Sequence, residues 1–442
     1  MIKIKIHRGT DMIGGSITEI YTENTHIFID FGSELNPDPN ESTDPKMIEM
    51  INRSECDAVL FSHYHGDHIG LMGNIPETDI RGRKIMLGMG LEARKVLIRI
   101  HKTLSSDFGG SNKNAGEHIK LLELLKNRSR WIDFFNKQTF TLGDFTITTV
   151  RVDHSAFDAY MFIIQAEGKT IVHTGDYRTH GRMGERLFPD LKEVLDTVMD
   201  GKQPDILITE GTMLERTSEK VMTEVELEAE AMRILSLPEN KYAFLLCSST
   251  NVESLASFCN AAKSLKRPFI VNSYVFSQIN AYRKVAAREK LKGLEFKKVY
   301  PFENMDTPNE KLDGLTQPEY MKKHGFVMMV GTSNDYIPRM EYFRDGDPLL
   351  IYSMWHGYID KKNHPDTYNE AYGKLYESWR HIGLHTSGHA TVEDIEKMIS
   401  VVGAKKIIPI HTTKKNVTQD PTPCHIFYSS MWSIPVERIV AM

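Results

Sequence analysis

Six consecutive residues, His63-Tyr64-His65-Gly66-Asp67-His68, constrain this chain more than any other stretch, because four metal-capable side chains follow directly on a buried-strand pattern. His63 and His65 are two apart, so an extended backbone points both imidazoles to one side. Gly66 then lets the chain turn and presents Asp67 and His68 from the next turn. One short peptide can thus feed two neighbouring metal ions. Imidazole nitrogen and carboxylate oxygen without thiolate suit zinc, or manganese and iron, in an open site better than a closed structural zinc site. A merely solvated His-rich loop would have no reason to follow the residue types of a two-metal centre.

Further ligand types arrive in a regular order. Val150-Arg151-Val152-Asp153-His154 ends a β-type run with a His, Thr170-Ile171-Val172-His173-Thr174-Gly175-Asp176 ends another with an Asp, and Lys406-Ile407-Ile408-Pro409-Ile410-His411 ends a third with a His. Apolar strands followed at once by a polar ligand type are how a packed sheet delivers side chains to a site at its edge. His173 lies within its strand and reads as a packing or supporting residue.

The pattern resembles the metallo-β-lactamase fold, with HYHGDH matching its HxHxDH signature and His154, Asp176 and His411 matching its later ligands. The resemblance implies that His63, His65 and His154 hold one metal and that Asp67, His68 and His411 hold a second, with Asp176 bridging them. Gly14-Gly15 and Ile27-Phe28-Ile29-Asp30-Phe31-Gly32 are similar to its opening strands. Ile208-Thr209-Glu210-Gly211-Thr212 and His385-Thr386-Ser387-Gly388-His389-Ala390 resemble the motifs of the β-CASP group, its nucleic-acid-processing branch, which includes ribonuclease J. Glu210 matches the first motif, His389 the second and His411 the third. The third is His in RNA-processing members and often Val in DNA-processing ones. Two departures stand out: His411 is followed by Thr412-Thr413-Lys414 and not by the Gly-Glu common in ribonuclease J, and Val330-Gly331-Thr332-Ser333-Asn334 only loosely matches its Gly-Ser-Gln-Gly-type segment.

Phosphodiester hydrolysis needs an activated water, neutralised phosphoryl oxygens and a proton for the leaving oxygen; two metals supply the first two. A histidine beside the metals that does not ligate them suits the third task, since acidic neighbours hold it protonated. Asp67, His389 and Glu210 form the expected catalytic set, with Glu210 orienting a ligand or His389 itself. His385 and Ser387 are candidate phosphate donors, helped by backbone N–H groups if a helix starts between Ala390 and Asp394.

At 442 residues the chain can bury two cores. The expected fold class is α/β: an αββα sandwich at 1–215 and 375–442, with an inserted α/β cap at 216–374. In the first part His118 to Phe135 reads as a long amphipathic stretch. In the second, Glu224 to Leu235, Ser254 to Leu265 and Ala281 to Lys290 read as helices alternating with strands at Tyr242 to Cys247 and Pro268 to Val271, a doubly wound pattern. Ser248-Ser249-Thr250-Asn251 falls at a strand-to-helix junction, where such folds often bind ligands. A helix from about Tyr368 to Trp379 then leads back to the ligand-bearing part.

Cys56, Cys247, Cys259 and Cys424 show no metal spacing or disulfide framework and read as reduced core residues. Met1 to Ile6 alternates apolar and basic residues like an exposed strand and lacks the apolar core of a signal peptide. No run is long and apolar enough to cross a bilayer, so a cytoplasmic protein without membrane contact is expected. A net charge of −5 provides no global field for a polyanion. Locally, however, Lys263, Lys266, Arg267, Arg283, Lys284, Arg288, Lys290, Lys292, Lys297 and Lys298 face only Glu289 and Glu295.

These features lead to an expected dinuclear metal-dependent phosphodiesterase acting on nucleic acid, foremost single-stranded RNA. Its cofactors would be two divalent ions, zinc first and manganese second, and a homodimer is compatible. The competing function is a small-molecule metallohydrolase of the same fold, a lactonase or small phosphodiesterase. A non-catalytic binding protein is the third, and the complete ligand set argues against it.

Overall fold

The computed structural model describes residues 1–35, 41–105, 114–216, 221–302, 311–312, 314–413 and 439–441. Contacts divide the chain into two units, Met1–Thr179 with Met183–Lys220 and Gly388–Met442, and His180–Arg182 with Val221–Ser387. The sequence reading puts an inserted cap at 216–374, and the continuous part of the second unit is Val221–Ser387. Beyond 374, Arg380–Gly383 pairs in parallel with Leu349–Ser353 and so belongs to the second unit's sheet.

The first unit is built on two sheets. One runs, in spatial order, Ile439–Ala441, Lys3–Arg8, Ile17–Tyr21, His26–Ile29, Ala58–Leu60, Met86–Gly90, Trp131–Phe134. The other runs Lys406–Ile410, Ile206–Glu210, Lys169–His173, Ala159–Ala166, Phe145–Val152, Gln138–Leu142. Strand periodicity explains their meeting: Ile4, Ile6, Ile20, Ile27, Ile29 and Leu60 face Ile147, Phe162, Ile164, Ile171, Ile206 and Ile208 in one buried cluster. Each such side chain stabilises the unit by roughly 1.5–3 kcal/mol relative to an exposed one. The second sheet's other face carries Val150, Met161, Ile163, Val172 and Leu207. It is covered by the apolar stripes Leu187, Leu191, Val194, Leu195 and Ile395, Met398, Ile399, Val402, spaced at helical intervals on Leu187–Met199 and Val392–Val402. Helices Leu91–Ser105 and Ala115–Lys126 pack together beside the first sheet. The architecture is the expected αββα sandwich.

Strand direction fixes where the candidate ligands emerge. Phe145–Val152 and Lys169–His173 each pair antiparallel with Ala159–Ala166, and Lys169–His173, Ile206–Glu210 and Lys406–Ile410 pair in parallel. Four of these strands therefore run the same way and end at one edge.

Two local expectations need correction. His118 to Phe135 is not one amphipathic element: the helix stops at Lys126, a turn follows at Arg128–Arg130, and Trp131–Phe134 is a strand beside Met86–Gly90. Its aromatic and β-branched residues gain more from sheet pairing and burial than from continuing a helix. The opening strand is not an exposed one either, since Lys3–Arg8 is paired on both sides. Cys56, Cys247 and Cys259 are buried and free, and burial pushes the thiols of Cys247 and Cys259 up to about 12; Cys424 lies outside the described residues. Among the described residues no helix is long and apolar enough to cross a membrane.

On the side of the first sheet that faces away from the isoleucine cluster, Glu19 is gripped between two histidines, 2.9 Å from His7 Nε2 and 3.0 Å from His26 Nδ1. Burial pushes its carboxyl up, but His26 and His7 outweigh that and hold it at about 2 instead of 4.5. A lowered folded-state value means stability present above the unfolded value and lost as pH falls from about 4.5 through about 2, with a total of about 3 kcal/mol. Glu19→Gln should therefore be less stable than the parent at pH 5, and the two should converge near pH 2 in denaturant titrations. A difference that stays constant across that window would show that Glu19 is not the group responsible.

The second unit has a six-stranded, all-parallel sheet in the order Val299–Pro301, Phe269–Val271, Phe326–Met329, Tyr242–Cys247, Leu349–Ser353, Arg380–Gly383. It is the expected doubly wound unit. Ser248 to Asn251 does join a strand to a helix, with the Asn251 side chain capping Val252–Ser264. The basic helix is longer than expected, spanning Ser273–Glu289 from an Asn272 cap. The returning helix is shorter, spanning Glu370–Glu377. The unit's two chain ends are tied together, with the Thr386 hydroxyl donating to the Met222 carbonyl.

Candidate metal centre

The loop Ser62 to Ile69 leaves strand Ala58–Leu60 and docks by backbone hydrogen bonds on its neighbours: Ser16 N donates to Asp67 O, Phe31 N to His68 O and Ser33 N to Gly66 O. Gly32 is required there, since a Cβ would collide with the Asp67 carbonyl. Gly175, at φ +56° and close to Ser62, lets the Thr174–Asp176 turn pack on the same loop. Two non-glycine residues also adopt left-handed backbone at strand ends, Asp30 at φ 61° and His411 at φ 54°. Such strain persists only where surrounding contacts over-determine it.

Hydrogen bonding fixes which nitrogen each histidine presents. The His154 Nδ1 sits 2.6 Å from the Gly388 carbonyl, which can only accept, so Nδ1 carries the proton and Nε2 the lone pair. His68 Nδ1 donates to Asp30 Oδ2 at 2.7 Å. Ser62 Oγ gives its single proton to Asp30 at 2.8 Å and so accepts from His63 Nδ1 at 3.1 Å. His63, His68 and His154 thus all turn Nε2 inward. His154 Nε2 meets His65 Nδ1 at 3.1 Å, and His411 Nε2 meets Asp67 Oδ2 at 3.0 Å.

Asp176 lies in the middle. Its Oδ2 is 3.1 Å from His68 Nε2, 3.9 Å from His411 Nε2 and 4.0 Å from His63 Nε2. Donor atoms within 4.8 Å of one another form the sets His63–His65–His154, His63–Asp67–His68, His68–Asp176–His411 and Asp176–Glu210–His389. Separations of about 3 to 4 Å are what ligands sharing an ion at about 2.0–2.2 Å require. His63 Nε2, His68 Nε2 and both Asp176 oxygens are buried and complete no hydrogen bond. Leaving such groups unsatisfied costs about 1–3 kcal/mol each, so the cluster fits a bound cation. All seven expected metal ligands are gathered here.

The electrostatics agree with that fit. Burial and neighbouring imidazoles push His63 and His154 well below the usual histidine range, and burial brings His65 down to about 4, so these rings are neutral. Burial would raise Asp67 and Asp176, but the imidazoles around them win and keep both ionised. Neutral imidazole with ionised carboxylate is the state a metal needs. His68 differs: burial opposes its charge, yet Asp176, Asp30 and Asp67 raise it well above the usual value, so a metal held there would displace a proton.

Beside the cluster stands His389, with Nδ1 3.0 Å from Glu210 Oε2 and 3.5 Å from Asp176 Oδ2. Glu210 is fully buried and its oxygens are already engaged, Oε1 accepting from Tyr177 N and Ala390 N and Oε2 facing His389. It is therefore placed to orient His389 and the turn after Asp176, not to bind an ion. Burial opposes a charge on His389, but Glu210 outweighs it and raises the ring above its usual value.

His385 and Ser387 are half-buried members of the second unit, where the Ser387 carbonyl pairs with His180 Nε2. The helix expected after Ala390 is present at Val392–Val402, but its N-terminus is closed by a Thr391–Asp394 capping box and so is not open to a phosphate. Three positioning residues escaped the sequence reading. Asp30 anchors both Ser62 and His68, Ser62 links His63 to Asp30, and Thr212 Oγ1 lies 2.8 Å from His411 Nδ1 and 3.2 Å from His389 Nδ1. Only the Asp that closes an apolar strand before Gly32 had any sequence signal.

A family described as a beta-lactamase superfamily domain matches residues 37–245. Ribonuclease J of Mycoplasma genitalium is 22% identical over 430 residues, covering 92% of this chain and 67% of that protein. The Mycoplasma pneumoniae ribonuclease J is 22% identical, covering 95% and 70%. Endoribonuclease YSH1 of Mycosarcoma maydis is 25% identical over 177 residues, 39% of this chain and 18% of that one. A crystal structure of a protein of unknown function from Enterococcus faecalis V583 superposes along 100% of both chains with a TM-score of 0.67 at 19% identity, a likeness of fold alone. With relatives of 22% identity aligned along nearly the whole chain and a beta-lactamase superfamily match over residues 37–245, the protein is a hydrolase similar to ribonuclease J and to proteins of the beta-lactamase superfamily.

Proposed function

We propose that the protein is a dinuclear metal-dependent phosphodiesterase that cleaves nucleic acid, with single-stranded RNA as its substrate. The observation that carries this reading is Asp176, a buried carboxylate with both oxygens unsatisfied between two histidine-rich donor sets. His63, His65 and His154 would hold one ion and Asp67, His68 and His411 the other, with Asp176 between them. Zinc suits these donors, and manganese is the second choice. Two such ions supply an activated water and neutralise charge on the phosphoryl oxygens.

The chain's own groups do the rest. Asp30, Ser62, Thr212 and the Gly388 carbonyl hold the ligand rings in one tautomer and orientation, which is how groups behind a metal site tune it. His389, kept charged by Glu210, delivers a proton from Nε2 to the leaving oxygen, because its Nδ1 proton is committed to the carboxylate. RNA as substrate is supported by the names of the aligned relatives, ribonuclease J and an endoribonuclease, and by His411 at the third motif.

The test is to incubate zinc- or manganese-loaded protein with end-labelled RNA and DNA oligomers and with a small phosphodiester and a lactone. RNA fragments that vanish on chelation are expected. Turnover of the lactone or small ester alone, with both oligomers intact, would move the assignment to a small-molecule hydrolase.

A further inference from the structure

The chain is acidic, yet its second unit carries one strongly basic end. Between Lys263 and Lys298 ten cations stand against two carboxylates, a local charge of +8, so the remainder carries −13 to reach the overall −5. The structure sorts these ten. Arg267 and Arg283 are half-buried and used internally, donating to the carbonyls of Asn240 and Phe296. Arg288 is exposed but ion-paired with Glu289 at 2.9 Å. The seven lysines are all exposed, and among the described residues none of them meets a carboxylate within ion-pair distance.

Packing brings these lysines to one end of the unit. The helix Val252–Ser264 reaches the connecting loop through Asn260 Nδ2 to Gly293 O, the helix Ser273–Glu289 reaches it through Arg283 to Phe296 O, and Phe269 N closes on Lys298 O. That end holds the C-termini of both helices and the start of strands Phe269–Val271 and Val299–Pro301. It is therefore the edge of the parallel sheet opposite Ser248 to Asn251, where strand Tyr242–Cys247 finishes. Helix dipoles account for cations in a last turn, such as Lys263 and Arg288. They do not account for Lys292, Lys297 and Lys298 in the loop.

We propose that this lysine-covered end of the second unit is a docking surface for the phosphate backbone of a nucleic-acid strand, separate from the sheet's carboxyl edge. The inference rests on the nucleic-acid reading above and adds to it a second place on the chain where the substrate is held. Charge segregation on an acidic protein calls for a polyanion. A protein partner would need buried aromatic or aliphatic anchors, and none of the exposed large hydrophobic residues falls between 263 and 298. Flexible lysines without such anchors give sequence-independent phosphate contact.

The probe is a fluorescent single-stranded RNA of about 30 nucleotides, bound to the full-length chain at several potassium chloride concentrations, with the parent compared against a variant carrying Lys263→Gln, Lys284→Gln, Lys292→Gln and Lys297→Gln. All four positions are exposed, and none is among the residues with left-handed backbone. The log–log salt slope falls by about 0.7 for each phosphate that is no longer neutralised, so the variant should be shallower by more than about one unit and bind at least about tenfold more weakly at low salt. Hydrolysis of a small phosphodiester should be unchanged, which shows an intact fold and centre. Equal binding by parent and variant at every salt concentration overturns the proposal, as does tighter binding of a poly-glutamate of matched charge. If the variant loses RNA binding while the parent cleaves no RNA, the surface stands and the nuclease reading falls.

Discussion

Asp176→Ala should empty the metal centre, taking a reconstituted parent with about two ions per chain to less than about one. Both donor sets are expected to fail together because the carboxylate lies within 4.0 Å of His63, His68 and His411 at once. Hydrolysis of a small phosphodiester should fall by at least about 10³, since the activated water and the charge neutralisation vanish together. Stability provides an independent readout. Metal at about a thousandfold above its Kd stabilises the folded parent by about 4 kcal/mol, so chelation should lower the parent's Tm sharply and leave the variant's almost where it was. One tightly held ion that survives Asp176→Ala would refute the bridging role.

His389→Ala should behave in the opposite way, keeping both ions and the parent's thermal stability while losing on the order of 10²–10⁴ in rate. The expected separation rests on its contacts, Glu210 on Nδ1 with Asp176 at 3.5 Å, which put it beside the donor cluster, where the proposed function makes it a proton carrier. Added imidazole should restore part of the rate, which a purely structural loss would not allow. Glu210→Gln should give a smaller fall, because the neutral amide still accepts from His389 but no longer favours its charge. Loss of one ion in the His389 variant would make it a ligand and end this mechanism.

The candidate cluster was legible because its first side chains are consecutive and the strands feeding it keep a simple period, so His63, His65, Asp67, His68, His154, Asp176 and His411, which the structure gathers, could be named before any geometry. Their supports were not legible. Asp30 and Thr212 matter only through contacts made across the fold, 38 residues from Asp30 to His68 and 199 from Thr212 to His411. Local pattern also failed where two periods ran together: Leu121 to Leu125 and Trp131 to Phe134 look like one apolar face, and only the Asn127-Arg128-Ser129 interruption marks helix giving way to strand. The same limit applied to charge, since folding half-buries Arg283 against the Phe296 carbonyl and leaves its neighbour Lys284 exposed.

The tie between Thr386 and Met222 bears on the order in which the molecule assembles. Strand Ile206–Glu210 must find Lys406–Ile410, in register Glu210 to Ile410, across 200 residues of intervening chain. Closing that loop from a wholly unfolded state is entropically slow. Once the inserted unit has folded, its joined ends leave only about 36 residues to close, which lowers the entropy cost by about 1.5 kcal/mol. On a ribosome the insertion emerges complete before residue 406 does, and domains generally fold as units in the order they are made. His411 would then be the last ligand to arrive, and a nascent chain would hold an unfinished centre until that strand zips into place.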